Sequence, residues 1–155
     1  MKSQRQEAFA EGIAALAHEL ASPLGVLFNF VDDSRHGISM KEQDFLDARQ
    51  ASASLQRLVQ ELRRAVRCLT QGNRGGSDAQ IALLQEFVVR LGYQLSDRTE
   101  CMQQVEPGFF LRQETPEERQ AGLVLFALLF CLGATVFCDT HANTIHVLLS
   151  ESLSR

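Results

Sequence analysis

The chain has 155 residues, 45% hydrophobic and 22% charged, with a net charge of -4. That balance describes a folded domain with a buried core. The acidic charge, the absence of Trp and the single Tyr argue against binding of nucleic acid by bulk positive charge or base stacking.

The first predicted element is a long helix over 4–33. Phe9, Ile13, Leu16, Leu20, Leu24, Leu27 and Val31 recur every three or four residues, the helical spacing of an apolar stripe. The stretch "DDSRHGIS" breaks it at Gly37. Ser39, with Glu42 three residues on, has the pattern of a capping box for a second helix. That helix is expected to run to about Leu69, with Phe45, Ala48, Ser52, Leu55, Val59, Leu62, Val66 and Leu69 on one face. Residues 1–70 thus read as a helical hairpin. One partner helix cannot cover both stripes, so pairing of two hairpins into a homodimeric four-helix bundle is expected.

"QGNRGGSD" is Gly-rich; 71–77 reads as a linker between two units. No strand precedes it and no GK[ST] follows, so it is not a phosphate loop. Residues 78–155 then read as a small α/β unit packed on the hairpin's end. Its expected elements are a helix near 78–92, a strand near 100–105, an extended "FFLRQ", an apolar helix over 117–137 and a strand over 143–151. The fold class is α+β.

Cys68, Cys101, Cys131 and Cys138 show neither CxxC nor zinc spacing, so no metal site is expected. Cys131 and Cys138, seven apart, would share a helix face as small buried hydrophobes. Reduced cysteines suit a cytoplasmic protein. The N-terminus carries Glu7, Glu11 and Glu19 through its apolar stretch, unlike a signal peptide. "AGLVLFALLFCLGATVFC", 121–138, has the length of a membrane span. Its charged flanks, two glycines and following strand-like sequence favour a core helix and no membrane partner.

One histidine stands out. At about 100° per residue, His18 points roughly 160° from the mean direction of the first helix's stripe. Its side carries Glu11, Ala14, Ala15, Ser22, Gly25 and Asn29, a small and polar surface that another protein can approach closely. Pro23 follows within the helix, where it removes a backbone donor and crowds the carbonyl of Glu19, costing about 3 kcal/mol or more. Glu19 beside the imidazole can hold one ring N–H and leave the other nitrogen free to attack. "HELAS" puts Ser22 where a second zinc-binding His would stand, so it is not an HExxH site.

"ALAHELASPLGVLFNF" resembles the H-box of the dimerisation and phosphotransfer domain of bacterial sensor histidine kinases, H-E-hydrophobic-x-[ST]-P-L. His18, Glu19, Leu20, Ser22, Pro23 and Leu24 match it. The resemblance implies that His18 is phosphorylated, that Glu19 assists transfer by orienting or handling a proton, and that the hairpin dimerises. The second half resembles the start of the kinase ATP-binding lobe in outline. That lobe's motif needs Asn residues where "LFALLFCLGATVF" has none, and no DxGxG follows, so the lobe is expected to be degenerate and not to bind ATP.

A phosphorylatable bundle with such a lobe is similar to the kinase-like histidine phosphotransferases of two-component phosphorelays. The resemblance implies transfer between response-regulator receiver domains through phosphohistidine at His18, with Mg²⁺ supplied by the receiver and no intrinsic cofactor. Ser22, Gly25 and Asn29 are expected to meet the receiver. Arg57, Arg64 and Arg67, opposite the second helix's apolar stripe, read first as a solvated basic face and otherwise as a surface that steers an acidic partner. Alternatives are an unphosphorylated adaptor or inhibitor that docks a receiver or a sensor kinase, a truncated sensor kinase, and a phosphatase acting on a receiver.

Overall fold

The computed structural model describes residues 3–70 and 76–149. Among them are four α-helices, one 3-10 turn and a four-stranded mixed sheet. They run in the order α1 (Gln4–Arg35), α2 (Glu42–Thr70), α3 (Gly76–Arg90), β1 (Gln94–Leu95), β2 (Gln103–Val105), the 3-10 turn Pro107–Leu111, α4 (Pro116–Leu132), β3 (Thr135–Asp139) and β4 (Thr144–Leu148). The chain is α+β. Residues 71–75 of the expected linker lie outside the described residues, and α3 already begins at Gly76.

Helices α1 and α2 form the antiparallel hairpin. Ser3 caps α1: its hydroxyl accepts from the Gln6 amide, and the Gln6 side chain accepts from the Ser3 amide, satisfying two otherwise orphaned donors. The helix continues unbroken through Pro23. His36 closes it, and Gly37 takes a left-handed φ of 72°. The expected Ser39–Glu42 box does not form, because α2 starts at Glu42 itself. The Asp44 carboxylate accepts instead from the Lys41 amide at 2.9 Å.

The second half departs further from expectation. The apolar helix ends at Leu132, not 137, because Gly133 adopts φ 64° and its amide turns back to the carbonyls of Leu129 and Phe130. This is the left-handed stop that glycine permits without a Cβ penalty. Thr135–Asp139 becomes strand β3, its buried Val136 and Cys138 alternating with half-buried neighbours. Cys131 and Cys138 therefore share no helix face: Cys131 is exposed on α4 and Cys138 is buried in β3. "FFLRQ" is not extended, since Pro107–Leu111 makes a 3-10 turn that buries Phe110. The Phe110 ring stands edge-on to Phe109 at 5.4 Å and to Tyr93 at 6.4 Å.

The sheet order is β1-β4-β3-β2, with β1 parallel to β4 and the other neighbours antiparallel. Val136, Cys138 and Ile145 join Leu84, Phe87 and Val88 of α3 and Leu125, Leu128 and Leu129 of α4 in one core. Leu58 and Ala65 of α2 belong to the same core, so the hairpin and the sheet unit are welded along α4. Two glycines allow this closeness. A Cβ at Gly12 of α1 would lie 2.3 Å from the Phe126 ring, and one at Gly122 of α4 would lie 2.0 Å from the Phe110 carbonyl oxygen.

The outer side of the hairpin is different. Phe9, Ile13, Leu24, Phe28 and Val31 of α1, with Phe45, Val59 and Val66 of α2, remain exposed. Among the described residues α1 is also the one helix long and apolar enough to cross a membrane, with a mean hydropathy of 1.3 over its best window. The other candidate, α4, spans 17 residues and is buried on most of its surface.

Gly122→Ala should be among the most damaging single substitutions, since the backbone it meets cannot rotate away. We expect a loss of about 1–3 kcal/mol from overpacking, measured by urea unfolding. A change below about 0.5 kcal/mol would show that the turn relaxes freely.

Candidate functional site

His18 lies near the middle of α1 with its side chain exposed and makes no hydrogen bond to any described residue. Its neighbour Glu19, about 100° around the helix, is turned inward and only 8% exposed. Arg119, from the first turns of α4, donates from Nε to Glu19 Oε1 at 2.6 Å. Its guanidinium also donates to the Glu114 carbonyl in the loop before the helix. One position on, Gln120 Nε2 donates to Ser54 Oγ of α2 at 2.7 Å. The start of α4 is thus tied to both hairpin helices by consecutive residues. Thr115 sets its direction by capping, its hydroxyl accepting from the Glu118 amide, with Pro116 at the first helical position, where the lost donor does no harm.

Between α1, α2 and the start of α4 runs a cleft of about 380 Å³. Of the residues expected at the site, His18, Glu19, Ser22 and Arg57 line it. Pro23 lines it too, and its missing N–H leaves the Glu19 carbonyl without a helical donor. The structure adds Arg119, Gln120 and Glu117 from α4, and Asp47, Gln50 and Ser54 from α2.

The remaining expected residues lie elsewhere. Gly25 faces open space. Asn29 lines a shallow depression towards the hairpin turn, with Asp33, Met40 and Asp44. Arg64 is engaged within the chain: it grips Glu86 of α3 through both guanidinium nitrogens, at 3.1 and 2.6 Å. That contact holds the Glu86 carboxyl below the usual carboxylate range and raises Arg64 above its own. Arg90 of α3 bridges Glu86 and the buried Glu61 of α2, extending the network that fastens α2 to α3. Arg67 is exposed beside it.

Glu19 does not hold the His18 ring, as the sequence suggested, since its carboxylate is directed to Arg119. The signal that sequence reasoning lacked is Arg119 itself. In "PEERQAG" it reads as the charged flank of an apolar helix, and only tertiary packing brings it to a residue 100 positions away. The other histidines are set apart: His36 ends α1 and bonds the Asp32 carbonyl, His141 is exposed in the β3–β4 turn, and His146 on β4 bonds the Ser96 carbonyl. Among the described residues no three His, Cys, Asp or Glu side chains gather as a metal site.

The chain matches no protein-family model, no curated protein and no solved structure.

Removing Arg119 leaves a mostly buried carboxylate unpaired, whereas removing Glu19 frees a guanidinium that is 31% exposed at its side chain and can turn to water. Arg119→Ala should therefore destabilise by about 1–3 kcal/mol, and more than Glu19→Ala, in parallel urea titrations. The reverse order would mean that the pair contributes through Arg119's packing rather than through charge.

Proposed function

We propose that this protein is a histidine phosphotransfer protein that relays a phosphoryl group between response-regulator receiver domains, through phosphohistidine at His18. The observation that carries the reading is an exposed imidazole, engaged by no described residue, on a helix whose local sequence is H-E-L-A-S-P-L. Beside it runs the open cleft of about 380 Å³. Phosphoryl transfer needs mainly placement and charge neutralisation, which suits a site with one nucleophile and little other machinery.

In the first step an imidazole nitrogen of His18 forms an N–P bond as the P–O bond to the receiver's aspartate breaks. The electron pair returns to the aspartyl carboxylate, and the ring keeps its proton on the other nitrogen. The second step reverses this onto another receiver. Mg²⁺ comes with the receiver. Glu19 contributes by fixing the start of α4 at the cleft rather than by holding the ring. The helix that would carry the nucleotide and metal ligands of a kinase lobe presents Leu, Val and Phe to the core instead, which supports a lobe that serves the relay without ATP. A protein of this class works in the cytoplasm.

His18→Gln should leave the melting temperature within the small range usual for exposed substitutions and abolish transfer of label from phosphorylated receiver domains. His36→Gln and His141→Gln should transfer normally. Phosphate retained by His18→Gln, or unfolding of that variant, would make the histidine incidental or structural and remove the phosphotransfer reading.

The same reading assigns the exposed outer side of the hairpin to a second copy, completing a four-helix bundle. Phe28, 70% exposed, then lies between copies, so Phe28→Glu should halve the sedimenting mass from twice the 17.3 kDa of one chain while leaving the helical circular dichroism intact. A wild-type protein that sediments as a monomer at high micromolar concentration would rule the bundle out.

A further inference from the structure

We propose that Arg57 of α2 is the cation that binds the phosphoryl group carried by His18, an inference that rests on the phosphotransfer reading above. Two guanidinium groups line the cleft beside His18, those of Arg57 and Arg119. Arg119 is committed to Glu19 and to the Glu114 carbonyl. Arg57 makes no ion pair or hydrogen bond with any described residue, and its side chain is exposed. Of the other arginines of α2, Arg64 is held bidentately by Glu86, and Arg49, Arg63 and Arg67 do not line the cleft.

The register of the hairpin puts Arg57 at the right height. At 1.5 Å per residue, His18 stands about 26 Å from the turn end of α1, and Arg57 about 23 Å from the turn end of α2. In an antiparallel pair these positions are nearly level, so a long side chain crossing the cleft from α2 approaches the ring from the side. Asp47, the acidic residue on the α2 wall, lies about 8 Å from that end and so far from His18. Glu117 lines the α4 wall without a described partner, and away from His18 Arg57 also borders a second cavity with Glu118, Arg90 and the Glu61 that Arg90 holds. With Glu19 neutralised by Arg119, Arg57 is the one free cation there among the described residues, facing an acid on the opposite wall. A phosphoryl group adds close to two negative charges near neutral pH, and a guanidinium offers paired donors matched to phosphate oxygens.

In the transfer, the oxygens of the migrating group bond to Arg57 while the P–O bond to the donor breaks and the N–P bond to His18 forms. Arg57 gives up no proton. Its charge favours the dianionic phosphoryl over the protonated one and holds the group in line.

The test uses the full chain with potassium phosphoramidate as a small phosphodonor, so that receiver docking plays no part. Mass spectrometry gives the rate at which His18 is phosphorylated, and phosphorus NMR follows the titration of the phosphohistidine. Arg57→Gln should slow the phosphorylation roughly tenfold, as expected for loss of a charge-assisted hydrogen bond. It should also raise the phosphoryl titration midpoint by about one pH unit. Arg57→Lys should recover most of the midpoint shift, because it keeps the charge. A midpoint unchanged in Arg57→Gln, with His18 phosphorylated normally, overturns the proposal while leaving the phosphotransfer reading intact. In a parallel assay with phosphorylated receivers, an Arg57→Gln variant that fails there but takes phosphate from phosphoramidate and titrates like wild type overturns the proposal, since Arg57 then docks the partner and does not bind the phosphoryl group. A wild-type His18 that gains no more phosphate than His36 or His141 removes the underlying reading, and this proposal with it.

Discussion

Everything in this molecule hangs on the burial of α4 on opposite sides at once. A helix with an apolar surface nearly all round needs partners on every side, and here the sheet and α3 cover one side while the α1–α2 hairpin covers the other. The polar start of the helix lies beside the groove between α1 and α2. Arg119 and Gln120 reach into that groove, meeting Glu19 and Ser54. The position of the cleft is thus a by-product of core packing: it opens where α4 stops being apolar.

This explains why charge is distributed so unevenly around His18. Buried carboxylates cost free energy unless they are paired and hydrogen-bonded, and each buried acid on the hairpin has its arginine: Glu19 has Arg119, and Glu61 has Arg90. The arginines that meet buried acids are therefore held within the fold. Arg57 on the cleft wall meets no such acid, and the His18 ring takes no part in any described network. The outer side of the hairpin follows the opposite logic, keeping aromatic and branched side chains in the open, where only another apolar surface can shield them.

Much of the helical framework was legible in the sequence because its signals are local. The apolar periodicity of α1 and α2, the break at Gly37 and the Pro116 start of α4 each depend on a few adjacent residues. The Gly133 stop is equally local, but the apolar residues on both sides of it, from Ala121 to Cys138, mask it, and "ATVFC" reads as more helix despite the β-branched Thr135 and Val136. Strand β1, two residues long, has no periodicity to detect; it exists because Gln94 and Leu95 find Thr144 and Ile145. The 3-10 turn is held by burial of Phe110, and burial is not written in "FFLRQ". At the cleft, the exposed histidine and the arginine on the neighbouring helix were visible from spacing on single helices. The partner of Glu19 was not, since no rule of local spacing connects a mid-helix acid with the flank of a helix 100 residues later.

That separation has a consequence for how the chain is made. During synthesis the hairpin emerges before α4, and helical hairpins form quickly because their contacts are local. Until α4 has left the ribosome, however, Glu19 has no counter-charge and the inner side of the hairpin is as bare as the outer one. The nascent hairpin therefore presents apolar surface on both sides until α4 covers one of them. Gly12 bears on this interval as well as on final packing. The notch it leaves on the inner side is filled by the Phe126 ring, so the seat for α4 is already formed on α1 when α4 arrives.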